Sequence, residues 1–336
     1  MKLDSKVELV SVIVPVFNEQ DNLEPLYLRI KRQFRDLGYD FELILIDDGS
    51  NDRSYEVFER LRQQDSRVKF LSFSRNFGHQ VALSAGLDVA NGDAVILMDA
   101  DLQHPPELIP DLLDKWHDGY ENVYTIRQVK ENISFLKKFF SSVFYRIFRV
   151  LTKINIPANS ADFRLLDRKV VLQLRGVKER TRFLRGIISW IGFRSVGIEY
   201  QEAQRHSGEV KYNFKNMFLF AVDAICSFST TPLYIGVFVG VIFAFLGFAY
   251  WVYVLYVYMA TGISVAGWSS IVSLIGILGG IQLIVTGLIG IYIGKIFEEV
   301  KQRPLYVIQK SGGIDGSKIN GQNTADKQGL SVRSHQ

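Results

Sequence analysis

Two long stretches near the C-terminal end of the sequence contain no charged residue, and they constrain the chain more than any other feature. They cover residues 233–259 and 261–294. Each exceeds the roughly 20 apolar residues that an α-helix needs to cross a bilayer. We therefore predict transmembrane helices at residues 232–259 and 268–294, joined by a short extracytoplasmic loop at residues 260–267.

Basic residues flank this pair of stretches on one side only. Lys211 and Lys215 precede the first stretch and Lys295 and Lys301 follow the second, whereas the loop between them is uncharged. Positively charged flanks stay on the cytoplasmic side of a membrane, so both ends of the chain are expected in the cytoplasm. The first ten residues have no apolar core of signal-peptide length, which agrees with that orientation.

Glycine pairs spaced four residues apart recur within the apolar stretches. They are Gly236 with Gly240, Gly276 with Gly280, and Gly290 with Gly294. This spacing lets helices approach closely and predicts a homo-oligomer formed through the transmembrane helices. The alternative is that glycine is simply common in membrane helices.

The part of the chain before residue 127 alternates between short β-branched runs and amphipathic stretches. Strands are predicted at residues 9–17, 41–46, 68–73, 94–98 and 122–126. Helices are predicted at residues 21–37, 52–64, 79–90 and 105–117. The alternation predicts an α/β domain at residues 1–210, built on a doubly wound, mostly parallel sheet.

Residues 134–151 repeat bulky apolar pairs every four positions and place basic residues such as Lys138 on the other face. This pattern predicts an amphipathic helix in a membrane interface, with an ordinary helix packed on the sheet as the alternative. A second interfacial helix is predicted next to the membrane, at residues 211–231. Residues 295–310 are expected to form a cytoplasmic segment, and residues 311–336 a disordered tail.

The overall composition argues against several classes of protein. A formal net charge of +4 is too small to indicate a nucleic acid partner. The single cysteine, Cys226, can form neither an internal disulfide nor a zinc site. No Gly-x-Gly-x-x-Gly sequence follows the first strand, which disfavours a dinucleotide-dependent oxidoreductase.

Polar clusters fall at the carboxyl ends of three predicted strands. They are Asn18-Glu19, residues 47–50 and Asp99-Ala100-Asp101. Ligands of a doubly wound sheet bind beyond these ends, so the clusters are expected to share one site. The turn after Pro15 is suited to a base or ribose, although a capped helix start is the alternative.

Asp99 and Asp101 are the candidate metal ligands. Alternate carboxylates at a strand end can hold one Mg²⁺ or Mn²⁺ ion, which would bridge the phosphates of a diphosphate substrate. An isolated Asp-x-Asp is also common in solvated turns and helix caps. Here Gln103 and His104 follow at once, and Asp48 closes an earlier strand, which favours the metal site.

Five more specific motifs occur in order along the chain. They are Ser74-Arg75-Asn76-Phe77-Gly78, Met98-Asp99-Ala100-Asp101-Leu102-Gln103, Ala161-Asp162-Phe163-Arg164-Leu165, Arg182-Phe183-Leu184-Arg185-Gly186 and Arg205 to Tyr212. With these motifs the chain resembles the inverting family 2 glycosyltransferases of GT-A fold. The similarity is to their polyisoprenyl-phosphate branch, which includes dolichol-phosphate mannose synthases and bactoprenol glucosyltransferases. The resemblance covers about residues 9–308.

The resemblance implies a nucleotide-sugar donor and assigns residues to it. Pro15, Glu19 and Asp48 would contact the nucleoside. Arg205, as a catalytic cation, and Lys211 would lie on a segment that closes over the donor and would neutralise the departing diphosphate. For these two cations the alternative is a basic stretch that flanks the membrane.

The resemblance also implies the catalytic centre. Asp99 and Asp101 would bind the metal ion, and Gln103 would help to hold the diphosphate. Asp162 is expected to act near the acceptor, as a base, as a ligand of sugar hydroxyls, or as the ion-pair partner of Arg164.

The implied acceptor is the phosphate of a polyprenyl lipid. Arg127, Lys137 and Ser141 would receive that phosphate, with a solvated or phospholipid-facing surface as the alternative. A lipid phosphate is already anionic at neutral pH, so the reaction needs no strong general base. A single displacement with inversion is therefore expected.

The predicted protein is thus a hexosyltransferase with two spans in a bacterial inner or plasma membrane and a cytoplasmic catalytic domain. UDP-glucose is the preferred donor, with GDP-mannose and UDP-4-amino-arabinose as alternatives. A processive polysaccharide synthase is disfavoured because the sequence has only two spans and no Gln-x-x-Arg-Trp motif. A catalytically silent membrane scaffold is disfavoured by the intact Asp99 and Asp101.

Overall fold

The computed structural model describes most of the chain. The described residues are 8–35, 37–128, 150–152, 157, 160–177, 179–180, 182–201, 225–262 and 267–316. They fall into two units, one that contains a β-sheet and one that contains two long helices. The predicted interfacial helix at residues 134–151 lies outside the described residues except for its last two positions, and the one at residues 211–231 lies outside them up to residue 224.

The sheet unit contains eight described strands. They are β1 (Leu9–Val16), β2 (Asp40–Asp47), β3 (Val68–Phe73), β4 (Ala94–Leu97), β5 (Asn122–Arg127), β6 (Ser160–Asp167), β7 (Ser195–Tyr200) and β8 (Ile308–Gly312). Six described α-helices accompany them. They are α1 (Gln20–Arg35), α2 (Ser54–Gln64), α3 (His79–Val89), α4 (Ile109–His117), α5 (Arg168–Gly176) and α6 (Leu184–Ile191).

The strand order is β7-β5-β6-β4-β1-β2-β3-β8. The centre, from β4 to β3, is parallel, whereas β6 runs antiparallel between β4 and β5, and β8 runs antiparallel beside β3. The predicted fold class, a mostly parallel α/β sheet, is therefore confirmed, and all five predicted strands are present. The insertion of β6 separates β5 from the parallel centre.

The central strand β1 is apolar on both faces because helices cover both sides of the sheet. Residues 10–16 are all buried, which matches the continuous apolar runs of parallel strands. On one side α3 packs closely against β1, and a side chain at Gly86 would collide with Ile13. This close packing places the beginning of α3 beside the carboxyl ends of the strands.

The prediction that a disordered tail begins at residue 311 is wrong, because residues 311 and 312 belong to β8. Its pairing with β3 is supported by Tyr306, which is buried and stacks on Phe73 with 4.9 Å between ring centroids. The Tyr306 hydroxyl donates to Asp88 at 3.1 Å. The polar composition of residues 308–312 gave no sign that they would pair with the edge of β3.

The helical unit contains α7 (Thr231–Thr261) and α8 (Trp268–Val300). Both predicted apolar helices are thus present, each long and apolar enough to cross a membrane, and α8 continues to Val300, beyond the predicted end at residue 294. A side chain at Gly236 would meet Val285 at 3.5 Å. The other five glycines of the predicted pairs have open space beside them within the described chain, and the homo-oligomer stays a prediction.

Candidate active site

The loop after β4 carries the two candidate metal ligands and has a fixed geometry. The backbone N–H of Asp99 donates to Nδ1 of the buried His104 at 3.0 Å. The N–H of Gln103 donates to Oδ1 of Asp101 at 3.1 Å. Between them Leu102 adopts a left-handed conformation, with φ of 61°, which is uncommon for a residue other than glycine. Both carboxylates are therefore held half-buried at the strand end.

Asp99 is also oriented by the first residue of α3. Nε2 of His79 lies 2.7 Å from Oδ1 of Asp99. Burial opposes the charged form of both groups. The pKa of His79 is nevertheless raised by its hydrogen bond to Asp99, and the pKa of Asp99 is lowered by His104 and by the hydrogen bond to His79. Sequence reasoning missed His79, although it directly follows the Ser74–Gly78 motif.

The insertion of β6 brings a second carboxylate to the same point. Leu97 of β4 pairs with Arg164 of β6, so the antiparallel register continued by two residues places Asp99 opposite Asp162. Gln80, the second residue of α3, donates from Nε2 to Asp162 at 3.3 Å. The start of α3 thus contacts both carboxylates.

Asp162 forms its ion pair with Arg185 of α6. Nε and Nη2 of Arg185 donate to Oδ1 and Oδ2 at 2.6 and 2.8 Å. Burial alone would raise the pKa of Asp162, but Arg185 holds this pKa well below its usual range. The hypothesis of an ion pair with Arg164 is wrong, because Arg164 donates instead to the carbonyl of Ala161 at 2.9 Å. Arg185 was recognised in a motif but not as a site residue.

Asp48 at the end of β2 is buried and faces a backbone loop. Its carboxylate accepts hydrogen bonds from the N–H groups of Phe77 at 2.6 Å and Gly78 at 3.0 Å, and its burial raises its pKa. The next residue, Gly49, has a φ of 75° and lies against the backbone of Arg75, where a side chain would collide. Asp48 therefore orients the Ser74–Gly78 loop, and its predicted contact with a nucleoside stays a prediction.

The loops after β1 and β2 are joined by hydrogen bonds. Asn18, with a φ of 57°, accepts from the N–H of Asn51 at 2.8 Å. Glu19 accepts through its backbone carbonyl from the N–H of Asn22 at 3.0 Å, as a helix-capping residue does. Pro15 is buried within β1. The capping alternative is thus present for Glu19, and its nucleoside contact, like that of Pro15, stays a prediction.

The predicted residues for the lipid phosphate and the closing segment are mostly beyond what the structure describes. Arg127 is exposed at the end of β5, where it pairs with Tyr200 of β7. Lys137, Ser141, Arg205 and Lys211 lie outside the described residues.

The residues present fit a divalent cation whose remaining ligands are oxygen atoms of the substrate. Asp99 and Asp101 offer carboxylate oxygens, the donors that Mg²⁺ and Mn²⁺ prefer. Among the described residues no group of three or more His, Cys, Asp or Glu side chains converges on one point. Mg²⁺ is commonly bound by one or two carboxylates together with water and substrate phosphates. The pair therefore fits an open site rather than a closed, all-protein one.

Comparison with known proteins places the chain in a family. Residues 11–175 match the family described as glycosyl transferase family 2. Over 309 residues the chain is 42% identical to YkcC, an uncharacterized glycosyltransferase of Bacillus subtilis, which covers 92% of this chain and 96% of YkcC. Over 303 residues it is 40% identical to the prophage-derived bactoprenol glucosyl transferase of Shigella flexneri, which covers 90% of this chain and 98% of that protein.

The chain therefore belongs to glycosyltransferase family 2, and it is a glycosyltransferase. Among its relatives is also the prophage bactoprenol glucosyl transferase homolog of Escherichia coli, 38% identical over 302 residues, or 90% of this chain and 98% of the relative. Similarity also extends to solved structures. A mannosyltransferase from Pyrobaculum calidifontis, in complex with GDP-Man and Mn²⁺, has a TM-score of 0.44 and 16% identity over 66% of this chain and 63% of that chain.

Proposed function

We propose that this glycosyltransferase moves a hexose, glucose from UDP-glucose, onto polyprenyl phosphate with inversion. The observation that carries the proposal is the meeting of Asp99 and Asp162 at the ends of β4 and β6, with Asp101 two residues beyond Asp99. Asp99 and Asp101 are available for a cation and the donor diphosphate. The third carboxylate, Asp162, lies beside Asp99, where the sugar and the acceptor would meet.

On the donor side, Asp99 and Asp101 would hold Mg²⁺ or Mn²⁺. When bound, that cation neutralises the diphosphate and stabilises it as a leaving group. His79 orients Asp99 through the 2.7 Å contact, and the Gln103 N–H orients Asp101. This orientation limits the rearrangement that the two carboxylates need when the substrate binds.

On the acceptor side, the low pKa of Asp162 argues for positioning rather than for proton transfer. A carboxylate held ionised by a bidentate arginine is a weak base. A lipid phosphate needs no base, because its oxygen is already anionic at neutral pH. Asp162 is thus suited to hold sugar hydroxyls while the phosphate oxygen attacks the anomeric carbon.

A lipid acceptor agrees with the helical unit. Large apolar side chains of α7 such as Phe238 and Phe245 are 66% and 68% exposed in the described chain. Such surfaces are stable in contact with lipid. With relatives from Shigella flexneri and from Shigella phage SfII named as bactoprenol glucosyl transferases, we place α7 and α8 in a bacterial inner or plasma membrane and the sheet unit on its cytoplasmic side.

The test uses membranes that contain the full chain, polyprenyl phosphate and Mg²⁺. Labelled UDP-glucose, GDP-mannose and UDP-4-amino-arabinose are supplied in separate reactions, and the label that enters the lipid extract is measured. We expect label from UDP-glucose, absent from membranes without the protein. If label entered the lipid extract from only one of the other two donors, the sugar of that donor would replace glucose in the proposal. Failure to label any prenyl phosphate with any of the three would overturn the proposal.

A further inference from the structure

A cavity of about 200 Å³ lies in the sheet unit, lined by residues of β5, β6, β7 and α6. Among the described residues its lining contains two arginines, Arg164 and Arg185, and no carboxylate. Ser160, Ser189 and Ser195 add hydroxyl groups. The cavity does not include Asp99 or Asp101, so it is distinct from the candidate metal site. Its charge and its polar lining indicate an anionic ligand.

Arg164 is the unusual group in this lining. Only 3% of the residue is exposed, yet a guanidinium has five N–H donors. Within the described part of the chain its hydrogen bond is the one to the Ala161 carbonyl. Burial lowers its pKa to about 10, so the side chain remains charged at neutral pH. A buried charge without a direct counter-ion is costly.

Asp162 does not neutralise both arginines. Its two oxygens are taken by Arg185 at 2.6 and 2.8 Å, and no described carboxylate lies within 4.0 Å of the Arg164 guanidinium. Among the described residues the Arg164 guanidinium therefore has no carboxylate of its own. Two serines of the lining already have partners. Ser189 donates to the Arg185 carbonyl at 2.9 Å, and Ser195 donates to the Phe193 carbonyl at 2.9 Å.

We propose that this cavity binds a phosphate group between Arg164 and Arg185. Arginine is well suited to phosphate because its planar N–H donors match the phosphate oxygens. A water molecule occupies about 30 Å³ in the liquid, so a cavity of about 200 Å³ has room for one phosphate and a few waters. The ligand is either free phosphate or the phosphate end of a prenyl phosphate. The proposal does not depend on the sugar donor or on catalysis.

The experiment titrates inorganic phosphate into the purified full chain in detergent, by calorimetry at constant ionic strength. EDTA is present, so that the carboxylates at Asp99 and Asp101 carry no cation. We expect saturable binding of one phosphate per chain. Arg164→Gln removes the buried charge and should weaken binding about tenfold or more, because hydrogen bonds to charged groups contribute about 1.5–3 kcal/mol.

Ser189→Leu is a second variant that fills the cavity from α6 and keeps a good helix former. It should weaken phosphate binding to a similar extent, and it decides the question if Arg164→Gln does not fold. The matched control is Arg175→Gln. Arg175 donates to the carbonyls of Leu87 and Ala90, away from the cavity, so its loss should leave phosphate binding unchanged.

A second arm adds a short-chain prenyl phosphate to the phosphate-loaded protein. Displacement of phosphate identifies the lipid phosphate group as the ligand, and retention identifies free phosphate. Absence of saturable binding to the folded wild-type chain would sink the proposal, as would equal binding in wild type and Ser189→Leu. Sugar transfer is measured separately, so an active enzyme without phosphate binding refutes only this cavity assignment.

Discussion

Arg185 of α6 binds both carboxylate oxygens of Asp162 on β6, through parallel hydrogen bonds of 2.6 and 2.8 Å. A bidentate pair fixes the direction of the carboxylate as well as its charge. Gln80 adds a third contact, because its Nε2 donates to Asp162 and its Oε1 accepts from the N–H of Leu184. The beginning of α6 and the beginning of α3 therefore hold Asp162 together.

Replacing Arg185 should slow transfer without removing a residue that binds the metal. For Arg185→Gln we expect the turnover rate to fall about 10- to 100-fold, because a charge-assisted hydrogen-bond pair of about 1.5–3 kcal/mol is lost. Arg185→Lys keeps the charge but not the bidentate geometry and should be intermediate. The rate is measured as labelled lipid formed at saturating donor.

The control for this variant is Arg168→Gln, which removes an arginine that donates to the Ala90 carbonyl at 2.8 Å. Its turnover should equal that of wild type. A wild-type rate in Arg185→Gln would show that the position of Asp162 does not matter for transfer.

Loss of either metal-site carboxylate should abolish transfer while the chain stays folded. For Asp99→Asn and Asp101→Asn we expect the rate to drop at least about a hundredfold, since the stabilisation of the leaving diphosphate is lost. Removing divalent cations with EDTA should stop wild-type transfer, and added Mg²⁺ or Mn²⁺ should restore it. Asp118→Asn, at an exposed position, is the matched control. Full activity of Asp101→Asn with metal present would contradict the assignment.

Glu42 should make the stability of the sheet depend on acid pH. It is buried and accepts from the Ser11 hydroxyl, Lys69 Nζ and the Asn91 N–H. Burial alone would raise its pKa, but these donors lower it below the ordinary value of 4.5. Its contribution to stability is therefore complete above about pH 4.5 and is lost as the pH falls through the lower folded value.

The measurement compares thermal unfolding of wild type and Glu42→Gln in detergent. At pH 7 the variant should be less stable by about 3 kcal/mol, the cost of breaking a buried ion pair. The difference should shrink as the pH is lowered below 4.5. A constant difference from pH 7 to pH 3 would show that the charge of Glu42 does not contribute.

Tyr306 should stabilise the sheet from the far end of the chain. Tyr306→Ala removes the ring that stacks on Phe73 and should cost about 3 kcal/mol, whereas Tyr306→Phe keeps the ring, loses the hydrogen bond to Asp88 and should cost about 1 kcal/mol. Val307→Ala, at a residue that is 50% exposed, should change stability by less than about 0.5 kcal/mol. Thermal unfolding midpoints rank the three variants, and equal midpoints would exclude this role.

The sequence was sufficient for the parallel half of the sheet because that half is built from local alternation. Each predicted strand from β1 to β4 is followed by its own helix, and both repeat patterns are visible within short windows. The position of β6 was not predictable in this way. It depends on pairing with β4, about 70 residues earlier, which no local pattern records.

The same limit explains which site residues were found. Asp99 and Asp101 are two residues apart after a buried strand, so their juxtaposition is local. Asp162 and Arg164 are also two residues apart in a strand and therefore share a face, which made them a reasonable ion pair from sequence alone. The true partner, Arg185, lies on another element, and only the packing of α6 brings it to Asp162.

The edge position of β8 has a consequence for synthesis. The chain from Phe73 of β3 to Ile308 of β8 includes both apolar helices. At about 5–20 residues per second, the ribosome needs more than ten seconds to produce that interval. During this time the open side of β3 has no neighbouring strand of its own chain to pair with. An unpaired strand edge can pair with another chain, so the open side of β3 is an aggregation hazard while the hydrophobic helices are being made, and pairing with β8 removes it.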